Sequence, residues 1–303
     1  MKNDVTEQIQ QLKKEKNAVI LAHYYCDDAV QQLADFVGDS FYLAKVAKNS
    51  TADVLVFCGV SFMGESAKIL NPEKTVLMPD LAADCAMAHM ASIEKIEQMR
   101  AAYPDLAVVC YINSTAELKY HSDVCVTSSN ALKIVRALPN HNIFFIPDEN
   151  LGNFVKEHVP EKNVMVNKGH CPIHKAITAA AVLEQKQKHP ETLVLVHPEC
   201  TGEVLALADM VGSTAEIIQY AKKSDATSFI VCTEVGVSFE LRSDNPDKSF
   251  YFVEPCPCCL DMKLNTPEKI LEVLKTGKNA VTVDAAVRER ALLPLDRMLE
   301  LAK

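Results

Sequence analysis

The sequence predicts an α/β protein of three related layers, each a parallel sheet flanked by helices, set around a pseudo-threefold axis. Three observations carry this. First, apolar runs at 18–22 (AVILA), 54–60 (VLVFCGV), 142–147 (NIFFIP) and 193–196 (LVLV) alternate with helical patterns. Strands that are apolar on both faces belong to parallel sheets covered on both sides. Second, one ruler fits three times. His23, Tyr25, Asp35 and Ser40 stand at offsets 0, +2, +12 and +17, as do Tyr111, Asn113, Asp123 and Ser128, and again His197, Glu199, Asp209 and Thr214. The sets begin 88 and 86 residues apart, which marks an internal triplication. Third, Cys85, Cys171 and Cys259 follow the first residue of each set by 62, 60 and 62 residues.

Bulk properties narrow the function. A chain of 303 residues buries roughly three quarters of its unfolded surface and needs no disulfide staples. Its net charge of −9, with no basic run and no basic–aromatic interleaving, argues against nucleic acid as a partner. A small anion stays compatible, because local donors outweigh a distributed surface charge. No apolar run approaches the roughly 18 residues of a membrane helix. The N-terminal MKNDVTEQIQQLKKEKN reads as a charged amphipathic helix rather than a secretory signal. The eleven cysteines are therefore expected in a reducing cytoplasm, as buried hydrophobes, metal ligands or redox groups.

The elements follow in order. Residues 4–16 form a helix with Val5, Ile9 and Leu12 at helical spacing. The strand 18–22 leads through a loop and short helix to Ser40, read as the N-cap of FYLAKVAK. Strand 54–60, a helix around 64–70 and strand 75–78 close the first unit. The second has a helix at 92–102 capped by Ser92, and a strand at 106–111. Ser128 and Ser129 are read as caps of ALKIVRAL, followed by strand 142–147, the helix LGNFVKEHV and strand 163–166. The third has a helix at 176–188, a strand at 193–197, Thr214 as cap of AEIIQYAKK, and strands at 228–233 and 249–253. Thr266-Pro267-Glu268 starts a further helix. A strand is expected over 280–284, and a helix over 286–302 that packs back on the first unit. The layers are thus 1–84 with 285–303, 85–170 and 171–284.

In parallel sheets, ligands bind beyond the carboxyl ends of the strands, where all three sets lie. Offsets 0 and +2 point the same way at a strand end. A hydroxyl at +17 sits at a helix N-terminus, which favours an anion, so three of them suit a ligand with several negative groups. His23, Tyr25, Tyr111, Asn113, His197 and Glu199 are acid–base and hydrogen-bonding types. The identical Asp35, Asp123 and Asp209 are read as structural, either capping or holding the adjacent loop. The His-Pro-Glu end of the third repeat differs from its copies, and Glu199 is the candidate general base.

Any one cysteine alone reads as a buried small hydrophobe. Cys85, Cys171 and Cys259 are expected to meet near the axis, each opening a helix that stabilises its thiolate. No zinc-type pair of C-x2-C motifs and no ferredoxin run is present. Three ligands from three distant loops suit a [4Fe–4S] cluster with one open iron acting as a Lewis acid, at the centre of the three layers. A structural zinc trio stays open. Cys58, Cys110 and Cys232 are read as core and Cys26 and Cys200 as packing. Cys256 and Cys259 form a C-x-x-C, either spare thiols or a reversible disulfide that withdraws the third ligand. His174, one turn beyond Cys171, either reaches the pocket or caps. His170 and Lys168 lie near without a repeat behind them, and His89, His121, His141, His158 and His189 are read as surface.

The motifs ILAHYY, DFVGDS, YINSTAELK, VTSSNA, KGHCPIH, VHPEC and CLDMKLNT together resemble the quinolinate synthase family over essentially the whole chain. The resemblance implies three α/β layers around a pseudo-threefold axis and a [4Fe–4S] cluster held by one Cys from each. It implies condensation of iminoaspartate with dihydroxyacetone phosphate to quinolinate, phosphate and water, in the de novo route to NAD. It carries the cluster ligands onto Cys85, Cys171 and Cys259. The dicarboxylate contacts fall on His23, Ser40, Tyr111, Asn113, Ser128, His197, Glu199 and Thr214, and the catalytic tyrosine on Tyr25. Proton donors are then Tyr25 with His197 or His174, and an oxidase or dehydrogenase is the expected supplier of the imine. The rival readings are an aconitase-type hydro-lyase on another dicarboxylate and a non-catalytic iron–sulfur redox sensor.

Overall fold

The computed structural model describes residues 2–303, with side chains from residue 5. Its first sheet holds β1 (Ala18–His23), β2 (Phe36–Gly38), β3 (Val54–Cys58) and β4 (Thr75–Leu77), in the order β2-β1-β3-β4. The second holds β5 (Ala107–Tyr111), β6 (Val124–Val126), β7 (Asn142–Ile146) and β8 (Asn163–Val166) in the order β6-β5-β7-β8. The third holds β9 (Leu193–Val196), β10 (Met210–Val211), β11 (Ser228–Cys232) and β12 (Ser249–Phe252) in the order β10-β9-β11-β12. Every strand pairing in the three sheets is parallel. The three α/β layers are as the sequence predicts, with one strand more in each. The extra strands β2, β6 and β10 have two or three residues at a sheet edge, too short to show a period.

The repeats share register as well as order. Leu21 pairs with Phe36, Val109 with Val124 and Leu195 with Met210. Just before each of these edge strands stands the Asp at +12. Its carboxylate accepts the backbone N–H of Ile20 (2.8 Å), Val108 (2.7 Å) or Val194 (2.8 Å). Its own N–H donates to the carbonyl of the same residue at 2.9, 3.0 and 2.9 Å. The carboxylate thus satisfies a donor that the short edge strand leaves without a ladder partner. Asp35, Asp123 and Asp209 are clasps of the strand pair, and their identity across copies follows from that.

A second triplication was not noticed in the sequence. Lys74, Lys162 and Lys248 each stand 51 residues after the first residue of their set. Each ammonium donates to carbonyls at the end of a helix. Lys74 reaches Ala47 (3.2 Å) and Ser50 (2.5 Å), Lys162 Leu138 (2.5 Å) and Asn140 (2.8 Å), and Lys248 Ala221 (2.7 Å) and Ser224 (2.6 Å). A cation there satisfies orphan carbonyls and complements the helix dipole.

The first two sheets share one apolar core. Leu21, Leu55 and Phe57 belong to it together with Val109, Val126 and Phe145. The C-terminal helix Ala285–Leu301 enters that core with Ala291, Leu295 and Met298, lying against the helix Ala116–Tyr120, β6 and the helix Ser61–Leu70. The helix Pro267–Thr276 packs on Lys2–Glu15, where Ile270 and Leu274 meet Ile9 over the outer face of the first sheet. The third sheet has separate cores on its two faces. The strand expected over 280–284 is not formed. One antiparallel bridge, Ala280 to Leu77, is all that develops before Asp284 caps the last helix through the N–H groups of Ala286 and Val287.

Candidate active site

In each sheet the chain leaves the first strand for a neighbour on one side and returns to the third strand on the other. That reversal opens a crevice at the carboxyl end of the first strand. His23 ends β1, Tyr111 ends β5 and His197 follows β9. In the first and third repeats the histidine turns alike. Nδ1 of His23 accepts the N–H of Tyr25 (3.1 Å), and Nδ1 of His197 that of Glu199 (3.3 Å). Both carbonyls accept the next N–H, from Cys26 and Cys200, at 3.0 Å. With Nδ1 an acceptor, the neutral ring carries its proton on Nε2. Burial lowers both rings from 6.5 to about 3, so both are neutral donors; for His197 the neighbouring His174 acts in the same direction.

The hydroxyls at +17 are not the helix caps that the sequence suggested. Asp39, not Ser40, is the N-cap of Ser40–Asn49, accepting from Tyr42 N–H at 2.8 Å. Ser213, not Thr214, caps Thr214–Lys223 in a capping box with Glu216. In the second repeat the helix begins only at Ala131 behind Asn130, and Ser128 and Ser129 lie in the preceding turn. Asn130 Oδ1 holds that turn through Thr127 N–H at 2.7 Å. The three hydroxyls are therefore released from capping. Thr214 Oγ1 meets the hydroxyl of Tyr25 at 2.8 Å.

Cys85, Cys171 and Cys259 each precede a helical turn: Ala86–His89, Pro172–Lys175 and Leu260–Lys263. The N–H groups of these turns do favour the thiolates, as expected, but burial works against them. Burial outweighs the N–H groups and pushes the Cys85 thiol up to about 12, Cys259 to about 11 and Cys171 well above its ordinary value. The negative charge of Glu199 adds to the rise at Cys85 and Cys171. Two carboxylates that the sequence reading missed set these loops. Asp148 accepts the N–H of Cys171 at 3.1 Å, and Glu234 that of Cys259 at 3.0 Å. Both stand 37 residues after the first residue of their set, a repeat signal that was legible. Lys263 pairs with Glu234 (3.2 Å) and donates to the Tyr25 carbonyl (2.7 Å), tying the Cys259 loop to the first repeat.

His174 reaches the pocket. Its Nδ1 lies 2.7 Å from Glu199 Oε2 and 3.2 Å from Cys171 Sγ, and its ring stacks on His197 at 4.6 Å. Its Nε2 contacts Thr233 Oγ1 at 2.9 Å, and Thr233 in turn contacts the Tyr25 hydroxyl at 2.9 Å. Thr233 was also missed; it lies just past β11, with no counterpart in the other repeats, which have Gly59 and Pro147 there. Burial would raise the Glu199 carboxyl, yet His174, His197 and Tyr111 pull it down to about 2, so it is ionised. Burial and the charge of Glu199 push Tyr25 and Tyr111 well up, so both phenols keep their protons.

All thirteen residues expected at the site line one cavity of about 280 Å³: His23, Tyr25, Ser40, Cys85, Tyr111, Asn113, Ser128, Cys171, His174, His197, Glu199, Thr214 and Cys259. Glu199 Oε1 and Asn113 Oδ1 are buried there without a hydrogen-bond partner among the described residues. His170 and Lys168 do not line it, nor do His89, His121, His141, His158 and His189. Cys26, Cys58, Cys110, Cys200 and Cys232 are fully buried core residues, and all eleven cysteines are unpaired. Among the described residues, one set of three metal-ligating side chains has donor atoms all within 4.8 Å: Cys171, His174 and Glu199.

Three parallel sheets, each sending a strand-end polar pair into one cavity and each followed beyond its last strand by a thiol that lines it, define an α/β enzyme with a central, thiol-lined site. A model of the quinolinate synthetase A protein family matches residues 7–300, and the chain belongs to that family. It is similar to proteins named quinolinate synthase from Caldicellulosiruptor saccharolyticus, 50% identical over 298 residues and 98% of both chains, and from Fusobacterium nucleatum, 50% identical over 296 residues, 98% of this chain and 99% of the relative. The Clostridioides difficile quinolinate synthase is 49% identical over the full length of both chains. No helix among the described residues is long and apolar enough to cross a membrane.

Proposed function

We propose that the protein is a quinolinate synthase that condenses iminoaspartate with dihydroxyacetone phosphate to quinolinate, phosphate and water. The reading includes a [4Fe–4S] cluster on Cys85, Cys171 and Cys259, a cytoplasmic setting, and an oxidase or dehydrogenase that supplies the unstable imine. The observation that carries it is the single cavity in which three thiols, three released hydroxyls and two orphaned buried acceptors meet.

The donor set fits a cluster better than one ion. Three thiolates on one tetrahedral zinc would lie about 3.8 Å apart, from Zn–S distances of about 2.3 Å. Three thiols from three separate loops, after the last strand of each sheet, suit a larger iron–sulfur group that reaches all of them. Buried thiols with raised pKa values also need a cationic group before they ionise. When bound, the cluster supplies an iron with an open position, a Lewis acid for a hydroxyl or carboxylate oxygen.

The remaining roles fall to the chain's own side chains. Ser40, Ser128 and Thr214, with the first-turn N–H groups and the Nε2–H donors of His23 and His197, bind the carboxylates and the phosphate. Tyr111 and Asn113 orient the dicarboxylate. Glu199 is the general base through its free Oε1, while Oε2 holds His174. Because that pairing lowers its basicity, the proton it takes does not stay there: Tyr25 gives its phenol proton to the substrate, and the proton taken by Glu199 replaces it by way of His174 and Thr233. An anaerobic assay for quinolinate, from dihydroxyacetone phosphate and freshly generated iminoaspartate, tests the reading. Quinolinate dependent on both substrates supports it. Turnover of a dicarboxylate without the triose phosphate would mark a hydro-lyase and overturn it.

A further inference from the structure

We propose that Cys171, His174 and Glu199 bind one zinc ion in chains that carry no iron–sulfur cluster, and that zinc there blocks cluster assembly. The second clause rests on the cluster reading given above; the first stands on the trio alone.

The donors are a thiol, an imidazole nitrogen and a carboxylate, the types zinc takes, and three protein ligands with a fourth position open to a cavity is a recurrent zinc geometry. Cys171 and His174 stand one helical turn apart at Pro172–Lys175, and Glu199 arrives from the end of β9. Their ligand atoms lie within 4.8 Å of one another and both His174 and Glu199 are buried. The contacts of 2.7 and 3.2 Å are hydrogen-bond lengths, whereas nitrogen and oxygen ligands on one tetrahedral zinc lie about 3.4 Å apart. The ion thus replaces the shared protons and moves the donors apart by less than about one ångström. One thiolate and one carboxylate neutralise its two charges, so no net charge is buried.

The contacts around the trio also suit an ion. His174 must present Nδ1 without a proton, and Nε2–H then donates to Thr233 Oγ1 at 2.9 Å, an outer-sphere contact of the kind that fixes ligand histidines. Asp148 anchors the Cys171 loop through its N–H. The buried Oε1 of Glu199, unpartnered among the described residues, is free to turn toward the ion. A zinc ion here uses the Cys171 sulfur, which the cluster also needs, so the two states exclude each other.

The test uses the full chain isolated without iron, titrated anaerobically with cobalt(II) as the spectroscopic substitute for zinc. One equivalent is expected, with a thiolate-to-cobalt band in the near ultraviolet. His174→Ala and Glu199→Gln are each expected to weaken cobalt by about tenfold or more. Cys85→Ala and Cys259→Ala are expected to bind it as the unaltered chain does. One equivalent of zinc is expected to slow reconstitution with iron and sulfide in the unaltered chain but not in Glu199→Gln. Cobalt lost in Cys85→Ala or Cys259→Ala yet retained in His174→Ala would place the ion on the three thiols and overturn the site, as would no cobalt binding at all. Assembly that zinc leaves unslowed overturns the block. Failure of the zinc-free unaltered chain to assemble a cluster sinks the cluster reading and the block with it, while the cobalt titration still reports the ion site.

Discussion

Glu199 Oε2 lies 2.7 Å from Nδ1 of His174, with both side chains almost fully buried and the other carboxylate oxygen left unpartnered. The carboxylate comes from the end of β9 and the imidazole from the turn after Cys171, so the contact joins the third strand set to a candidate cluster loop. Glu199→Gln keeps the shape and removes the charge. Turnover is expected to fall by about 10²-fold or more, while the visible iron–sulfur absorbance persists. If the absorbance disappears with the activity, Glu199 is structural.

Single replacements Cys85→Ala, Cys171→Ala and Cys259→Ala are each expected to abolish the iron–sulfur absorbance and the bound iron. Cys256, which is exposed, and Cys258 are expected to be dispensable in the same assay. Iron content per chain after anaerobic reconstitution decides this, and an intact cluster in Cys259→Ala rejects the third ligand.

Thr233 bridges Tyr25 and His174 at 2.9 Å on each side. Thr233→Val removes the hydroxyl at nearly constant volume. The loss of a buried hydrogen bond, about 1–2 kcal/mol, corresponds to about a tenfold fall in kcat. Thr233→Ser should restore most of it. An unchanged kcat in the valine variant would show that no proton or orientation passes through this hydroxyl.

Asp209 donates nothing to the cavity and clasps Val194 instead. Asp209→Ala leaves a buried N–H without a partner, so stability is expected to fall by about 1–3 kcal/mol, with kcat per folded molecule unchanged. Urea denaturation followed by far-ultraviolet circular dichroism measures the first, and initial rates the second. A loss of kcat at unaltered stability contradicts the clasp.

Burial lowers His23 and His197 from 6.5 to about 3. Between those values the unfolded chain binds protons that the folded chain refuses, so stability is present above pH 6.5 and falls as the pH drops toward 3. Each ring contributes about 1.4 kcal/mol per pH unit. Glu199, lowered to about 2, adds a loss of the same sign below its ordinary 4.5. The urea midpoint is expected to fall from pH 7 to pH 5, and His23→Gln to make that slope shallower. A slope unchanged by His23→Gln would show that the ring is protonated in the fold.

Much of the site was legible because repetition turns single residues into positions. One ruler of offsets found the strand ends, and the equal spacing of Cys85, Cys171 and Cys259 found the thiols. Asp148, Glu234 and Lys74 were missed although their offsets recur, because an acid or a lysine in a loop is unremarked until its partner is known. Thr233 had no repeat to betray it. The caps were displaced by one residue at Ser40 and Thr214 because Asp39 and Ser213 are themselves good N-caps, and adjacent cap residues compete on equal local terms.

The sequence by itself determined the three layers, their parallel strands and the residue types at each strand end, since periodicity and spacing are local properties of the chain. It also determined family membership, through motifs spread over nearly its whole length. Only the tertiary structure decided which atoms meet: that Thr233 joins Tyr25 to His174, that Glu199 faces His174 rather than solvent, and that burial opposes the three helix turns at the thiols. Such facts depend on distances between segments remote in sequence and on how much water the packed layers exclude. Neither quantity is written in any local stretch of the chain.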